Sequence, residues 1–67
     1  MTHFRLLFPE GLDGRYTTHA AAMEAVEVSR QYGDDPSIVE VPGHYVGPQE
    51  YGGGGTVDGV PLDKLPQ

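Results

Sequence analysis

The sequence predicts a small α+β domain: one α-helix packed on one face of a three- to four-stranded, mostly antiparallel sheet, in the order β(β)αβ(β). Two observations predict it. Apolar residues alternate along residues 3–8 and again along 37–41, as they do in half-buried strands. Between these stretches, residues 17–33 carry an apolar stripe with the period of a helix. A chain of 67 residues is long enough for one domain, residues 1–67, and too short for a second core.

The first strand is predicted over residues 3–8. Three bulky apolar side chains share one of its faces: Phe4, Leu6 and Phe8. Pro9–Gly14 is dense in turn-forming residues, so the chain is expected to reverse there. Arg15–Thr18 then predicts a short second strand that returns along the first.

The helix is the clearest pattern in the chain. Thr17 or Thr18 suits its N-cap, and Gly33 suits the position that follows its last turn. Its stripe is rich in alanine, which lets a helix lie close to a sheet. The stripe and the residues beside it are Ala21, Ala22, Ala25, Val26, Val28, Ser29 and Tyr32.

After the helix, Asp34–Pro36 predicts a turn, because proline disfavours helical angles in the residue before it. Ser37–Val41 predicts a further strand, which Pro42–Gly43 interrupts, and extended structure is expected to resume at His44–Val46. Near the C-terminus, Thr56–Val60 predicts a tight hairpin with Asp58-Gly59 at its tip, although Pro61 limits pairing of the return strand.

The second half of the chain differs in composition from the first. Residues 34–67 hold seven glycines and five prolines, against three and one in residues 1–33. Four consecutive glycines, residues 52–55, predict a flexible hinge, and a contact loop is the alternative. Residues 62–67 either pack through Leu62 or Leu65 or form a loose tail.

The net charge of −6 is concentrated in the same half. Residues 1–33 have three arginines and four acids, a balance of −1, whereas residues 34–67 have six acids and Lys64, a balance of −5. Direct binding to nucleic acid or to an anionic membrane is therefore disfavoured, because both need clustered lysine and arginine. An acidic surface attracts basic partners instead.

Few residues are suited to catalysis or to holding a cofactor. The absence of cysteine excludes disulfides, thiolate zinc sites and thiol nucleophiles. The histidines, His3, His19 and His44, lack metal-ligand spacing and are expected at the surface. The two serines, Ser29 and Ser37, lie in no catalytic motif, and the glycines are not followed by the lysine of a phosphate-binding loop. We expect no enzyme activity, no metal and no cofactor.

The sequence also favours a soluble, cytoplasmic protein. Its N-terminal apolar run is too short for a signal peptide, and no stretch approaches the roughly 20 apolar residues of a membrane span. The lack of cysteine fits a reducing compartment.

These observations lead us to expect a small protein-binding module. In its most concrete form it is an inhibitor that occupies a basic nucleic-acid-binding surface, as phage-encoded inhibitors of host defence nucleases do. The acids expected to meet lysine and arginine of the partner are Asp34, Asp35, Glu40, Glu50 and Asp58. The tyrosines expected to anchor the apolar centre of the contact are Tyr45 and Tyr51. The alternative is a structural module that forms a homodimer or stabilises another subunit.

Overall fold

The computed structural model describes residues 1–47 and 54–65, and its architecture is the predicted α+β one. The first unit comprises β1 (Thr2–Phe8), β2 (Gly11–Tyr16), α1 (His19–Gln31) and β3 (Ser37–Pro42). The second comprises three very short strands, β4 (Tyr45–Val46), β5 (Thr56–Val57) and β6 (Val60–Pro61), followed by a 3₁₀-helix at Leu62–Lys64. The strands form two antiparallel sheets, in the orders β2-β1-β3 and β4-β5-β6.

Strand β1 is the centre of the larger sheet and pairs with β2 on one side and β3 on the other. Leu6 lies opposite Ile38 of β3, so both side chains point to the face that carries the helix. The pairing of β1 with β2 is irregular between Phe4 and Leu6, which indicates a bulge. Strand β2 begins at Gly11 rather than at Arg15 as predicted, because the reversal occupies only residues 9–10.

Both ends of α1 are fixed in the way the sequence predicts. At the N-terminus, the Thr18 hydroxyl oxygen accepts a hydrogen bond from the Ala21 N–H at 3.1 Å. At the C-terminus, Gly33 has φ +90°, and its N–H donates to the Arg30 carbonyl at 3.1 Å. The Asp34 N–H donates to the Ser29 carbonyl at 3.0 Å, which completes a Schellman motif.

The main core lies between the helix and the larger sheet. Its buried members are Leu6, Tyr16, Ala22 and Val26, and the half-buried side chains packed against them are Phe4, Phe8, Ala21, Ala25 and Ile38. The predicted helical stripe is confirmed in its centre and wrong at its edge. Val28 and Tyr32 are 50% and 82% exposed, because they lie on the flank of the helix rather than over the sheet.

The second sheet is built around a tight hairpin. Asp58 at φ 52° and Gly59 at φ 81° form its two-residue turn, and positive φ at both positions defines a type I′ turn. One Asp58 carboxylate oxygen accepts the N–H of His44 at 2.8 Å, which ties the turn to the segment before β4. Tyr45 donates its hydroxyl proton to the Gly54 carbonyl at 3.1 Å.

The two sheets meet at a buried histidine. His3 is 1% exposed and its ring lies 5.9 Å from that of Tyr45, so the expectation of a surface histidine is wrong here. The Nδ1 of His3 lies 2.9 Å from the Gly43 carbonyl, and its Nε2 lies 2.9 Å from Nη1 of Arg15. Because a guanidinium can only donate, Nε2 accepts and Nδ1 carries the proton that is donated to Gly43. His3 is therefore a neutral bridge between the sheets.

Helix α1 has 13 residues. Within residues 1–47 and 54–65, neither it nor any other helix has the length and apolar character needed to cross a membrane.

Candidate protein-contact groove

A groove of about 610 Å³ runs between the β1–β2 hairpin and the C-terminal half of α1. It is open to solvent along one side. The hairpin contributes Phe8 and residues 10–13, and the helical side contributes Val28, Ser29, Tyr32 and Asp34. We call this surface the hairpin–helix groove.

Local structure explains why these residues meet. The reversal at residues 9–10 leads directly from Phe8, at the end of β1, into the residues of β2 that form one wall. On the other wall, the Schellman motif folds the chain back at Gly33 and leaves Asp34 beside the last helical turn. Tyr32, the C-cap residue, belongs to this second wall and remains exposed.

The groove combines an apolar floor with an acidic border. Its apolar lining residues are Phe8, Leu12, Val28 and Tyr32. Its acidic lining residues are Glu10, Asp13 and Asp34, all of them exposed, and none of the described lining residues is lysine, arginine or histidine. One carboxylate oxygen of Asp13 accepts the N–H of Gly14 at 2.8 Å. The C-terminal end of a helix carries partial negative charge, so the carboxylate of Asp34 adds to a potential that is already negative.

Arg5, on β1, interacts electrostatically with one acid of this border, Asp13. Its guanidinium donates to the Gly14 carbonyl at 2.9 Å and to the Leu12 carbonyl at 3.2 Å. Burial lowers the pKa of Arg5, and the charge of Arg15 lowers it further, while Asp13 acts in the opposite direction. An arginine remains protonated despite such shifts, so Arg5 is a fixed cation that holds backbone carbonyls of β2.

The acids that the sequence singled out do not form one patch. Asp34 lies in the hairpin–helix groove, and Asp35 forms an ion pair with Nε of Arg30 at 3.0 Å. Glu40 accepts a hydrogen bond from the Thr2 hydroxyl at 2.6 Å. Asp58 lies in the turn of the second sheet, beyond the far end of β3. Since the six residues of β3 span roughly 20 Å, Asp34 and Asp58 belong to different surfaces.

Tyr45 is the one expected anchor that the structure removes from the surface. Its side chain is 1% exposed, because its ring packs beside His3 and its hydroxyl is bonded to Gly54. A side chain so enclosed offers no area to a partner, and the expectation that it anchors a contact is wrong. Glu50 and Tyr51, and Gly52 and Gly53 of the expected hinge, lie outside the described residues.

Sequence reasoning missed the hairpin wall of the groove. Glu10, Leu12 and Asp13 stand in the stretch that was interpreted only as a turn, so their side chains were assigned no surface. The available signal was an apolar residue between two acids, directly after a predicted strand. Whether residues 10–13 lie near Tyr32 depends on how the helix crosses the sheet, and no pattern of neighbouring residues predicts that.

The described residues contain no group of three or more histidine, aspartate or glutamate side chains that could hold a metal ion. A smaller depression of about 310 Å³ lies on the opposite flank of the helix, next to β3, with the Arg30–Asp35 ion pair among its lining residues. Because these two charges neutralise each other, that depression lacks the uncompensated charge of the hairpin–helix groove. No family model, curated protein or solved structure matches the chain.

Proposed function

We propose that the protein is an acidic protein-binding module that acts by occupying a basic surface of its partner. The observation that supports this proposal is that two of the three arginines bind backbone carbonyls or a histidine ring. Arg5 binds the carbonyls of Leu12 and Gly14, and Arg15 binds the ring of His3. Neither forms an ion pair with a carboxylate of the described residues.

Within residues 1–47 and 54–65, Arg30–Asp35 is the single ion pair. It is exposed, with side chains 57% and 78% accessible, so it is weak as well as solitary. The described carboxylates are all exposed and, apart from Asp35, form no ion pair, so the negative charge of this part of the chain lies at the surface. A surface of this kind accelerates encounter with basic proteins and favours them over acidic ones.

The specific form of the proposal is inhibition by competition with nucleic acid. Exposed carboxylates that form no ion pair present acceptor oxygens and negative charge, as a phosphate backbone does. A partner that holds nucleic acid in a basic groove would then bind either this protein or nucleic acid, but not both. The expected contacts on this side are carboxylates, with arginine and lysine on the other.

Binding to purified nucleic-acid-binding proteins across a salt series tests the proposal. We expect affinity to fall by roughly tenfold or more between about 50 mM and 300 mM NaCl, because screening weakens contacts between exposed charges. In the same assay, a fluorescent nucleic acid bound to the partner should be displaced. Binding that does not change with salt, or that leaves the nucleic acid in place, would contradict the competitive form.

A further inference from the structure

We infer that the hairpin–helix groove is the docking site, and that its occupant is a partner segment with one large apolar side chain flanked by arginine or lysine. The inference rests on the proposed function, because it assigns to the basic partner a place of contact and a local chemistry. It differs from the expectation drawn from the sequence, which placed the contact in residues 34–58 and shares only Asp34 with the groove.

The apolar part of the occupant follows from the floor of the groove. Val28 is half exposed and Tyr32, the C-cap residue, is 82% exposed. Phe8, which packs against the core, adds apolar surface from the hairpin side, whereas Leu12 pairs with Leu7 and so lies on the face of the sheet away from the helix. A volume of about 610 Å³ exceeds what one side chain fills, so a short segment rather than a single residue fits. An exposed tyrosine at an interface is a frequent source of binding energy.

The basic part follows from the border. Glu10 and Asp13 stand on the hairpin wall and Asp34 on the helical wall, so a chain lying in the groove passes between carboxylates on both sides. Asp13 already accepts the Gly14 N–H at 2.8 Å and interacts with the charge of Arg5. No described lining residue is a cation, so an acidic or neutral segment would leave the carboxylates of Glu10 and Asp34 desolvated without an opposite charge. Arginine or lysine on either side of the apolar residue pairs with them instead.

The structure argues against a partner that adds a strand to β2. Strand addition uses the free backbone N–H and C=O groups of an edge strand. In β2, the carbonyls of Leu12 and Gly14 already accept hydrogen bonds from Arg5, and the register against β1 is irregular. At the groove, side chains rather than the edge of β2 therefore make the contact.

Titration of the uniformly ¹⁵N-labelled chain with three synthetic peptides tests this inference. The first peptide carries a central phenylalanine between two pairs of arginines. The second replaces the arginines by citrulline, which keeps the shape and removes the charge. The third replaces the phenylalanine by alanine. We expect the first to shift amide signals of residues 10–13 and 28–34, and each of the other two to bind roughly tenfold more weakly, the effect of losing about 1.4 kcal/mol.

Two double variants with equal charge separate the groove from general attraction. Glu10→Gln with Asp34→Asn removes two carboxylates from the border, and Glu24→Gln with Glu27→Gln removes two exposed carboxylates elsewhere on the helix. All four side chains are exposed, so both variants should fold, which the dispersion of the amide spectrum checks. Binding of the first peptide should be lost in the groove variant and retained in the helix variant.

The outcomes distinguish this inference from the proposed function. Equal loss of peptide binding in both double variants, or amide shifts confined to residues outside the groove, would show that the groove is not the site. The proposal of a basic partner would then remain. Undiminished binding of the citrulline peptide overturns the basic flanks. If no peptide shifts the groove signals at concentrations of a few mM, the inference fails, whereas the proposed function is decided separately by the salt series with basic proteins.

Discussion

Asp34 occupies a position that the helix itself does not favour. It follows the last turn of α1, where the macrodipole repels a negative charge, and its hydrogen bond to Ser29 uses the backbone and not the carboxylate. We expect Asp34→Asn to leave the free energy of unfolding unchanged or to raise it by up to about 1 kcal/mol, as measured by urea denaturation. Asp35→Asn is the control, because it breaks the exposed pair with Arg30 and should lower stability by at most about 1 kcal/mol.

A loss of more than about 1 kcal/mol in Asp34→Asn would show that the carboxylate supports the fold. The acidic border of the groove would then have a structural explanation. A neutral or positive change, combined with weaker peptide binding, is the result that assigns Asp34 to recognition.

His3 is the side chain on which the junction of the two sheets depends. Replacing it by leucine leaves the Gly43 carbonyl and a donor of Arg15 without their partner in a buried place. We expect His3→Leu to lower the free energy of unfolding by about 2–3 kcal/mol, close to the penalty for a buried polar group left unsatisfied. The exposed His44 bonds through its backbone, so His44→Leu is the matched control and should change stability by less than about 0.5 kcal/mol. Equal effects of the two substitutions would contradict the bridging role.

The hairpin of β5 and β6 assigns a structural role to Asp58, which the sequence had suggested as a contact residue. A residue at positive φ with a side-chain acceptor for the His44 N–H is best filled by aspartate or asparagine. We expect Asp58→Ala to lower the free energy of unfolding by about 1–2 kcal/mol and Asp58→Asn by less than about 0.5 kcal/mol. Thermal unfolding followed by circular dichroism measures both. If asparagine were as damaging as alanine, the charge rather than the turn geometry would be the property that matters.

The elements that the sequence predicts well are those with a periodic pattern and chemical end signals. The alternation in β1, the N-cap at Thr18 and the C′ glycine at Gly33 each depend on neighbouring residues alone, and each is confirmed. Of the second sheet, the sequence predicted the hairpin at Asp58-Gly59 and extended structure at His44–Val46, but not their pairing. Strands of two residues contain no period to detect, and β4 reaches β5 only through a pairing distant in sequence.

The groove was harder to predict than either of its walls. Asp34 was selected for its charge, and Tyr32 was placed on the buried stripe because an apolar period cannot distinguish the centre of a helical face from its flank. That distinction depends on the width of the sheet beneath the helix, which only the tertiary structure gives. Tyr45 was misplaced for the same reason, since its burial depends on His3, a residue more than 40 positions earlier in the chain.

In the molecule as a whole, two arginines hold the fold together while most acids lie exposed. Arg5 and Arg15 stabilise the interior of the first unit, while the described acids, apart from Asp35, face solvent without an ion pair. Such an arrangement leaves a net charge of −6 on 67 residues, which makes close approach of two copies unfavourable at low ionic strength. This repulsion disfavours the homodimerising alternative at low salt, so the oligomeric state is a test that separates the two proposals.

We therefore expect the isolated chain to sediment as a monomer of 7.2 kDa at both about 20 mM and about 500 mM NaCl, at micromolar concentration. Addition of a basic partner at the lower salt should shift the boundary to a larger species, and the higher salt should reverse that shift. The Glu10→Gln, Asp34→Asn variant should remain a monomer and lose the shift, whereas Glu24→Gln with Glu27→Gln should keep it. A dimer at both salt concentrations that unfolds on dilution would support the homodimerising alternative, because its stability would then depend on protomer concentration.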